Sequence, residues 1–281
     1  MNQELKQRLH EHLTQIVRER DPYLASGGHY LVREYIREFF GQYGKVEVHQ
    51  FQFQNKTHQN LILNLNSASE SNLPPILIGA HYDGVPGTPG ADDNATGVAV
   101  LLELATVFSA SPLKYPLRLV AFDLEEYDRA GSFAYAQYLK DKKQKLRLML
   151  SLEMLGYCDL RANSQKYPDI IKPFYPNTGD FIALVGNLRC LTDLICLSRH
   201  IKRKGTPCEI LPDPSSGKLV PVTGFSDHFA FWQQKYRAIM VTDTAMLRNP
   251  HYHKPSDTID TLDLDFLTGV CQSLIAALKT I

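Results

Sequence analysis

The sequence predicts an α/β protein: a three-layer α/β/α sandwich with a mixed, mostly parallel central sheet. Two observations support this prediction: short apolar runs alternate with helical patterns, and acidic or imidazole side chains follow several of the runs. Strands that helices bury on both faces have this pattern. The apolar runs lie at 76–80, 117–122, 148–154, 181–186 and 238–241, and the helical patterns at 98–108, 133–140, 191–202 and 266–278.

The start of the chain predicts two amphipathic helices within residues 3–40. Leu5, Leu9 and Leu13 recur at helical spacing, and a second stripe of apolar residues follows between 30 and 40. The segments 46–53 and 61–65 alternate apolar and polar residues, which predicts an antiparallel pair of strands. Since no linker-like stretch divides the chain, we expect residues 1–281 to form a single catalytic domain.

The amino-acid composition argues against several classes of partner and site. The 30 basic and 30 acidic residues cancel, so there is no net charge to attract nucleic acid or a membrane surface. The first 20 residues lack the apolar core of a secretory signal, and no apolar stretch reaches the ~18 residues of a membrane span. We therefore expect a cytoplasmic protein, with its oligomeric state left open. The cysteines form no CxxC pair, so neither disulfides nor a thiolate metal site is predicted; they are Cys158, Cys190, Cys196, Cys208 and Cys271.

Chemically reactive side chains follow the predicted strands. Because parallel strands end at one edge of a sheet, these residues should converge there. Clustered carboxylates repel one another unless a cation neutralises them, so a metal site is the simplest interpretation. The residues are His81, Asp83, Asp92, Asp93, Glu125, Glu126, Glu153, Asp227, His228, His251 and His253.

The donor set indicates the metal. A site of two imidazoles and three carboxylates drawn from these residues, without a thiolate, suits zinc, and a bridging carboxylate favours two ions about 3.5–4 Å apart. Asp92, in a tight Gly-Ala-Asp-Asp-Asn turn, is the candidate bridge. Of the adjacent glutamates, one can coordinate metal while the other acts as a general base. Asp83 is placed to accept the ring N–H of His81.

These segments together resemble the M28 family of di-zinc aminopeptidases, whose fold is shared with glutaminyl cyclases and is described as phosphorylase/hydrolase-like. The resemblance extends from about residue 60 to 281 and rests on HYDGVPGTPGADDNATG, FDLEEYDRAGS, SLEMLGY, GFSDHFAFW and NPHYHKPSDTID. It implies a metal-dependent exopeptidase that hydrolyses N-terminal peptide bonds, acting on a peptide or an amino-acid derivative.

The resemblance also implies roles for individual residues. His81 would bind one zinc, Glu126 and His253 the other, and Asp92 would bridge them. Glu153 stands where well-known members carry an aspartate that shares the zinc of His81, so another divalent metal is an alternative there. Glu125 matches the general base and Asp83 the partner of His81. The Asp92–Asp93 peptide is expected to be cis.

Substrate-binding residues are predicted around this site, and two further readings stay open. Asp227, His228 and Tyr252 are expected to line the pocket, and Phe174 and Tyr175 to form its rim within a possible insertion at 158–223. One alternative is a glutaminyl-peptide cyclotransferase of the same fold with one zinc. The other is a binding module without catalysis, which the five intact ligand positions disfavour.

Overall fold

A computed structural model describes residues 2–68 and 72–281. It contains one eight-stranded mixed sheet, with strand order β1-β2-β4-β3-β5-β8-β6-β7. The strands are β1 (Val46–Phe53), β2 (Lys56–Leu65), β3 (Ile76–His81), β4 (Leu117–Phe122), β5 (Leu148–Glu153), β6 (Ile182–Asn187), β7 (Cys208–Asp213) and β8 (Ala238–Thr242).

Seven α-helices cover the sheet in the described residues. They are α1 (Asn2–Ile16), α2 (Ser26–Gly41), α3 (Gly97–Ala110), α4 (Ala130–Asp141), α5 (Leu191–Arg203), α6 (His228–Gln233) and α7 (Leu264–Leu278). No described helix combines the length and the apolar composition that crossing a bilayer requires. The predicted α/β architecture with a mostly parallel centre is confirmed.

The centre of the sheet forms because its strands are apolar on both faces. Every residue of β3 and β5 is buried, which is the burial expected when helices cover both sides of a parallel sheet. One layer of the core lies between the sheet and α1, α2, α3, α5 and α7. The other lies on the opposite face, under α4 and α6.

Strand direction decides what each strand end can contribute to a site. β3, β4, β5 and β8 are mutually parallel, so the residues that follow them share one edge of the sheet. β6 runs antiparallel to β8, and β7 is parallel to β6. At the other edge, β1 and β2 form a hairpin, whose turn residues Gln54 and Asn55 have φ of 47° and 61°. Positive φ at both central residues is typical of the tight turns that match strand twist.

The segment 158–223 contains more than a rim. The apolar run at 181–186 and the helical pattern at 191–202 form β6 and α5 as predicted, and β7 is a further strand in this segment. These elements complete the sheet beyond β8. Only the stretches before β6 and after β7 remain to form loops beside the site.

Candidate metal centre

The candidate site lies where the parallel strands end. His81 is the last residue of β3 and Glu153 the last of β5, while Glu125 and Glu126 follow β4 by a short loop. His253 comes from the loop after β8. The sheet therefore brings together residues that are up to 172 positions apart in the chain, as expected for the carboxyl edge of an α/β sheet.

Two sets of three donor atoms meet at this edge and share Asp93. One set is His81, Asp93 and Glu153, and the other is Asp93, Glu126 and His253; within each set the atoms lie within 4.8 Å of one another. The Nε2 atom of His81 is 3.3 Å from Asp93 Oδ1 and 3.6 Å from Glu153 Oε1. The Nε2 atom of His253 is 3.1 Å from Asp93 Oδ2 and 3.5 Å from Glu126 Oε2.

Asp93, not Asp92, lies between the two histidines. The Oδ1 atom of Asp92 accepts the Gly156 amide at 2.9 Å, and its Oδ2 accepts the Asn249 side-chain amide at 2.7 Å. Asp92 is thus held inside the fold, and the prediction that it bridges is wrong for this geometry. The cis peptide likewise joins Asp93 to Asn94 rather than Asp92 to Asp93. Neighbouring residues in this turn face different ways, and the sequence does not indicate which faces the site.

Asp83 links the first histidine to the two glutamates. Its Oδ1 atom is 3.4 Å from His81 Nδ1, which leaves Nε2 to face Asp93. The same carboxylate accepts the backbone amide of Glu125 at 3.0 Å and that of Glu126 at 3.1 Å. One buried side chain therefore orients the imidazole and fixes the loop that carries both glutamates.

The electrostatics show how strongly negative the site is. Burial opposes a charged His81 ring, yet Glu153, Asp83 and Asp93 raise its pKa well above the ordinary value. Burial also acts on Asp93, but hydrogen bonds from His253 and His81 lower its pKa. The pKa values of Glu125 and Glu126 are raised well above normal by burial and by neighbouring carboxylates.

These donors fit a bound cation. The Nε2 atom of His81 and the Oε1 atom of Glu126 are buried and have no hydrogen-bond partner among the described residues. A buried polar atom without a partner is costly, and a bound metal ion would satisfy both atoms. Imidazole and carboxylate donors without thiolate suit zinc or a similar divalent ion.

Arg20 is a site-building residue that the sequence analysis missed. It is completely buried, and its guanidinium donates to the carbonyl oxygens of Tyr82 at 3.0 Å, Gly90 at 2.8 Å and Asp93 at 2.9 Å. Gly90 has a φ of 62°, and a Cβ there would lie 2.3 Å from the Asp93 carbonyl oxygen. Nothing in the polar stretch around Arg20 distinguishes it from a surface residue, so only the fold reveals its position.

Asp257 supports the same loop from the other side. Its carboxylate accepts the backbone amides of Asp92 at 2.9 Å and Asp93 at 3.1 Å. Asp257 therefore holds the backbone of the loop that carries Asp93. Burial, with Asp92 nearby, raises the pKa of Asp257 to about 7.

Three of the five predicted substrate-binding residues lie at or beside the candidate site. Tyr252 stacks on His253 with 3.7 Å between ring centroids, and Tyr175 lines an apolar pocket beside Glu153. Asp227 is buried close enough to His81 and Glu153 to feel their charge, and burial raises its pKa to about 7. Two others lie elsewhere.

His228 and Phe174 are the two that do not face the site. The Nε2 atom of His228 is 2.7 Å from the Thr223 carbonyl oxygen, and its ring packs on Trp232. Burial lowers the pKa of His228 to about 3, so the ring is neutral. The side chain of Phe174 is exposed, with 79% of the residue accessible to solvent. We therefore read His228 as a structural residue and Phe174 as a surface residue.

Comparison with solved structures places the fold among aminopeptidase-like α/β proteins. The LapA aminopeptidase of Legionella pneumophila matches with a TM-score of 0.73 and 18% identity, over 99% of this chain and 72% of that chain. A Bacillus subtilis zinc aminopeptidase, BSAP, matches with a TM-score of 0.59 and 24% identity, over 80% of this chain and 50% of that chain. A glutaminyl cyclase of Tannerella forsythia matches with a TM-score of 0.70 and 16% identity, over 98% of both chains.

Sequence comparison is more specific. The model of peptidase family M28 matches residues 60–278. The Escherichia coli protein YfbL is 36% identical over 259 residues, covering 87% of this chain and 78% of that protein. Aminopeptidase YwaD of Bacillus subtilis is 38% identical over 106 residues, covering 37% of this chain and 23% of that protein.

The chain belongs to peptidase family M28. It is therefore a hydrolase of a family that acts on peptides, and its relatives include aminopeptidases. The resemblance recognised in the sequence is confirmed.

Proposed function

We propose that this protein is an aminopeptidase that holds two zinc ions and removes the N-terminal residue of a peptide. The observation that supports this most directly is the position of Asp93. Its two carboxylate oxygens face different histidines, Oδ1 towards His81 at 3.3 Å and Oδ2 towards His253 at 3.1 Å. A carboxylate shared between two donor sets suits a pair of ions about 3.5–4 Å apart.

The ligand assignment follows from the two donor sets. His81 and Glu153 would hold one ion, Glu126 and His253 the other, and Asp93 would bridge them. The zinc ions would supply Lewis acidity and lower the pKa of water in the site. Glu153 is also held by the Ser226 hydroxyl, which donates to Oε2 at 2.7 Å and leaves Oε1 for the metal.

Glu125 is the proposed general base. Its donor atom lies within 4.8 Å of donor atoms of His81 and Glu126, and its backbone is fixed by Asp83. In the proposed reaction Glu125 takes the proton from the attacking water and gives it to the amine of the leaving peptide. Asp83 keeps the Nδ1 proton of His81 in place throughout.

The N-terminal helices belong to the same catalytic unit in this proposal. Arg20, in the segment between α1 and α2, holds the backbone of the loop that carries Asp93. Residues before the family match at 60 thus support the proposed site directly.

The test compares Asp93→Asn with Asp92→Asn in metal content and activity. We expect wild-type protein loaded with zinc to hold two ions by mass spectrometry of metals, and Asp93→Asn to lose at least one. Asp92→Asn is the matched control and should keep both. Asparagine keeps the shape of the side chain and one of its two acceptor oxygens, and neither oxygen of Asp92 faces a histidine.

Activity is measured on aminoacyl-p-nitroanilides, on blocked peptides and on peptides beginning with glutamine. Hydrolysis of free N-termini that stops with chelator and returns with zinc is the expected result. Glu125→Gln should keep its metals and lose about 10²–10⁴-fold in turnover, the usual contribution of a general base. Cyclisation of glutamine peptides with one bound ion would instead support the alternative function of a glutaminyl cyclase, an enzyme that has the same fold.

A further inference from the structure

An apolar pocket begins beside the candidate metal centre. Glu153 and Tyr252 lie at the end of the pocket that adjoins the metal centre. Its walls are mostly apolar and aromatic, and they include Phe181, Val185 and Leu211. The pocket also contains one carboxylate far from the metal centre, Glu209.

The sheet places these two glutamates at opposite ends of one row. Glu153 of β5 is paired with Thr242 of β8, Thr242 with Ala183 of β6, and Ala183 with Glu209 of β7. Directly paired residues point to the same face of a sheet. Three strand spacings of about 4.8 Å separate the glutamate backbones by about 14 Å.

On the face of the sheet between the two carboxylates, which forms the floor of the pocket, the connecting side chains are small. Thr242 and Ala183 are the small side chains of the connecting row, and Met240 and Val185 form part of the neighbouring row on the same face. A side chain lying along this floor would therefore have apolar contacts over its length. Its end would reach Glu209.

The outer end suits a cation. The rings of Tyr167 and Tyr175 line the pocket and stack with 5.7 Å between centroids, while their hydroxyls donate to backbone carbonyls. Aromatic rings beside a carboxylate favour a guanidinium or ammonium group. Lys202 reaches Glu209 at 3.3 Å, but their side chains are 50% and 33% exposed. Such an exposed pair is weak and readily exchanged.

We propose that this pocket binds the side chain of the substrate's N-terminal residue, and that Glu209 selects long cationic side chains, arginine first and then lysine. The proposal rests on the aminopeptidase function proposed above. The two glutamates are about 14 Å apart along the row. An extended arginine spans this distance when its α-amine donates to Glu153 and its guanidinium donates to Glu209, each over about 2.8 Å. The apolar floor takes its methylene stem.

The experiment uses neutral side chains of the same shape. We measure kcat/KM of the zinc-loaded protein for arginyl- and citrullinyl-p-nitroanilide, and for lysyl- and norleucyl-p-nitroanilide. Wild type should prefer arginine over citrulline by about 10-fold or more, the usual effect of one charge-assisted hydrogen bond at a partly exposed site. Glu209→Gln should reduce that ratio to about 1, and Lys202→Met should raise it because Glu209 loses its competitor.

A matched control removes a glutamate outside the pocket. Glu38 is exposed on α2, so Glu38→Gln should leave the arginine-to-citrulline ratio unchanged. A wild-type ratio near 1, or a ratio that survives Glu209→Gln, would overturn the proposal even if the protein is an active aminopeptidase.

Binding provides a readout that does not depend on turnover. Calorimetric titration with L-arginine and L-citrulline should show tighter binding of arginine to wild type and equal binding to Glu209→Gln. If no p-nitroanilide is cleaved, the aminopeptidase function fails, but the titration still decides whether Glu209 selects a cation. Equal binding of both amino acids to wild type would overturn it.

Discussion

Replacing Arg20 by methionine should loosen the loop that carries Asp93. Arg20 has no exposed surface, and its guanidinium donates to four carbonyl oxygens of the stretch from Tyr82 to Asp93. Methionine fills a similar apolar volume but donates nothing. The Arg20→Met protein would therefore bury these carbonyls without their charged donor.

The magnitude follows from the number of bonds. A hydrogen bond to a charged group contributes about 1.5–3 kcal/mol, and losses within one network are not additive. Part of the loss is offset because burying the charged guanidinium is itself unfavourable, as the lowered pKa of Arg20 shows. We expect the free energy of unfolding to fall by about 3–5 kcal/mol, the range found when a buried charge network is broken.

The assay is urea unfolding in the presence of chelator, so that metal binding does not add to the stability of the folded state. Zinc binding by calorimetry follows on the same samples, and we expect weaker binding because Asp93 is less well positioned. Arg18→Met is the control, since Arg18 is half-buried on the same segment and its Nε atom has no hydrogen-bond partner among the described residues. A loss below about 1 kcal/mol for Arg20→Met, or equal losses for both variants, would refute the reasoning.

Two further predictions concern buried carboxylates. Asp257→Asn keeps one acceptor oxygen where two backbone amides are bound. We therefore expect the free energy of unfolding to fall by about 1–2 kcal/mol and the zinc affinity to drop. Asp260→Asn, at an exposed position, should change neither quantity. Burial opposes the charge of Asp123, but hydrogen bonds from His29 and His58 lower its pKa to about 2. A carboxyl group whose pKa is lower in the folded state stabilises the fold at pH values above its unfolded pKa, and this stabilisation is lost as the pH falls through the folded pKa. About 2 kcal/mol of the free energy of unfolding should therefore disappear between about pH 4 and pH 2. Urea midpoints of Asp123→Asn that fall with acid as steeply as those of wild type would contradict this assignment.

The sequence determined the layers of this protein because its pattern is local. Short, nearly all-apolar runs such as 76–80 and 148–154 indicate strands buried on both faces, and the structure places them as β3 and β5. The ends of these strands also placed His81, Glu125, Glu126, Glu153 and His253 in one group of eleven candidates, since parallel strands end at one edge.

The local pattern of residues does not determine the direction of a strand or its partners in the sheet. An apolar run does not indicate whether its strand runs parallel or antiparallel, and β6 joins the sheet antiparallel to β8. β7, in which four half-buried residues lie between two buried ones, resembles a loop in sequence and forms because β6 offers it a free edge. That pairing is also what puts Glu209 in line with Glu153.

The loop opened by β3 shows the division most clearly. Its sequence alone determined that a histidine and neighbouring aspartates follow a buried strand, and that they suit a metal. Only the tertiary structure decided that Asp93 faces the histidines and Asp92 faces Gly156 and Asn249. The physical reason is that the direction of each carboxylate is set by Arg20, Asp257 and Asn249, which contact this loop from distant parts of the chain.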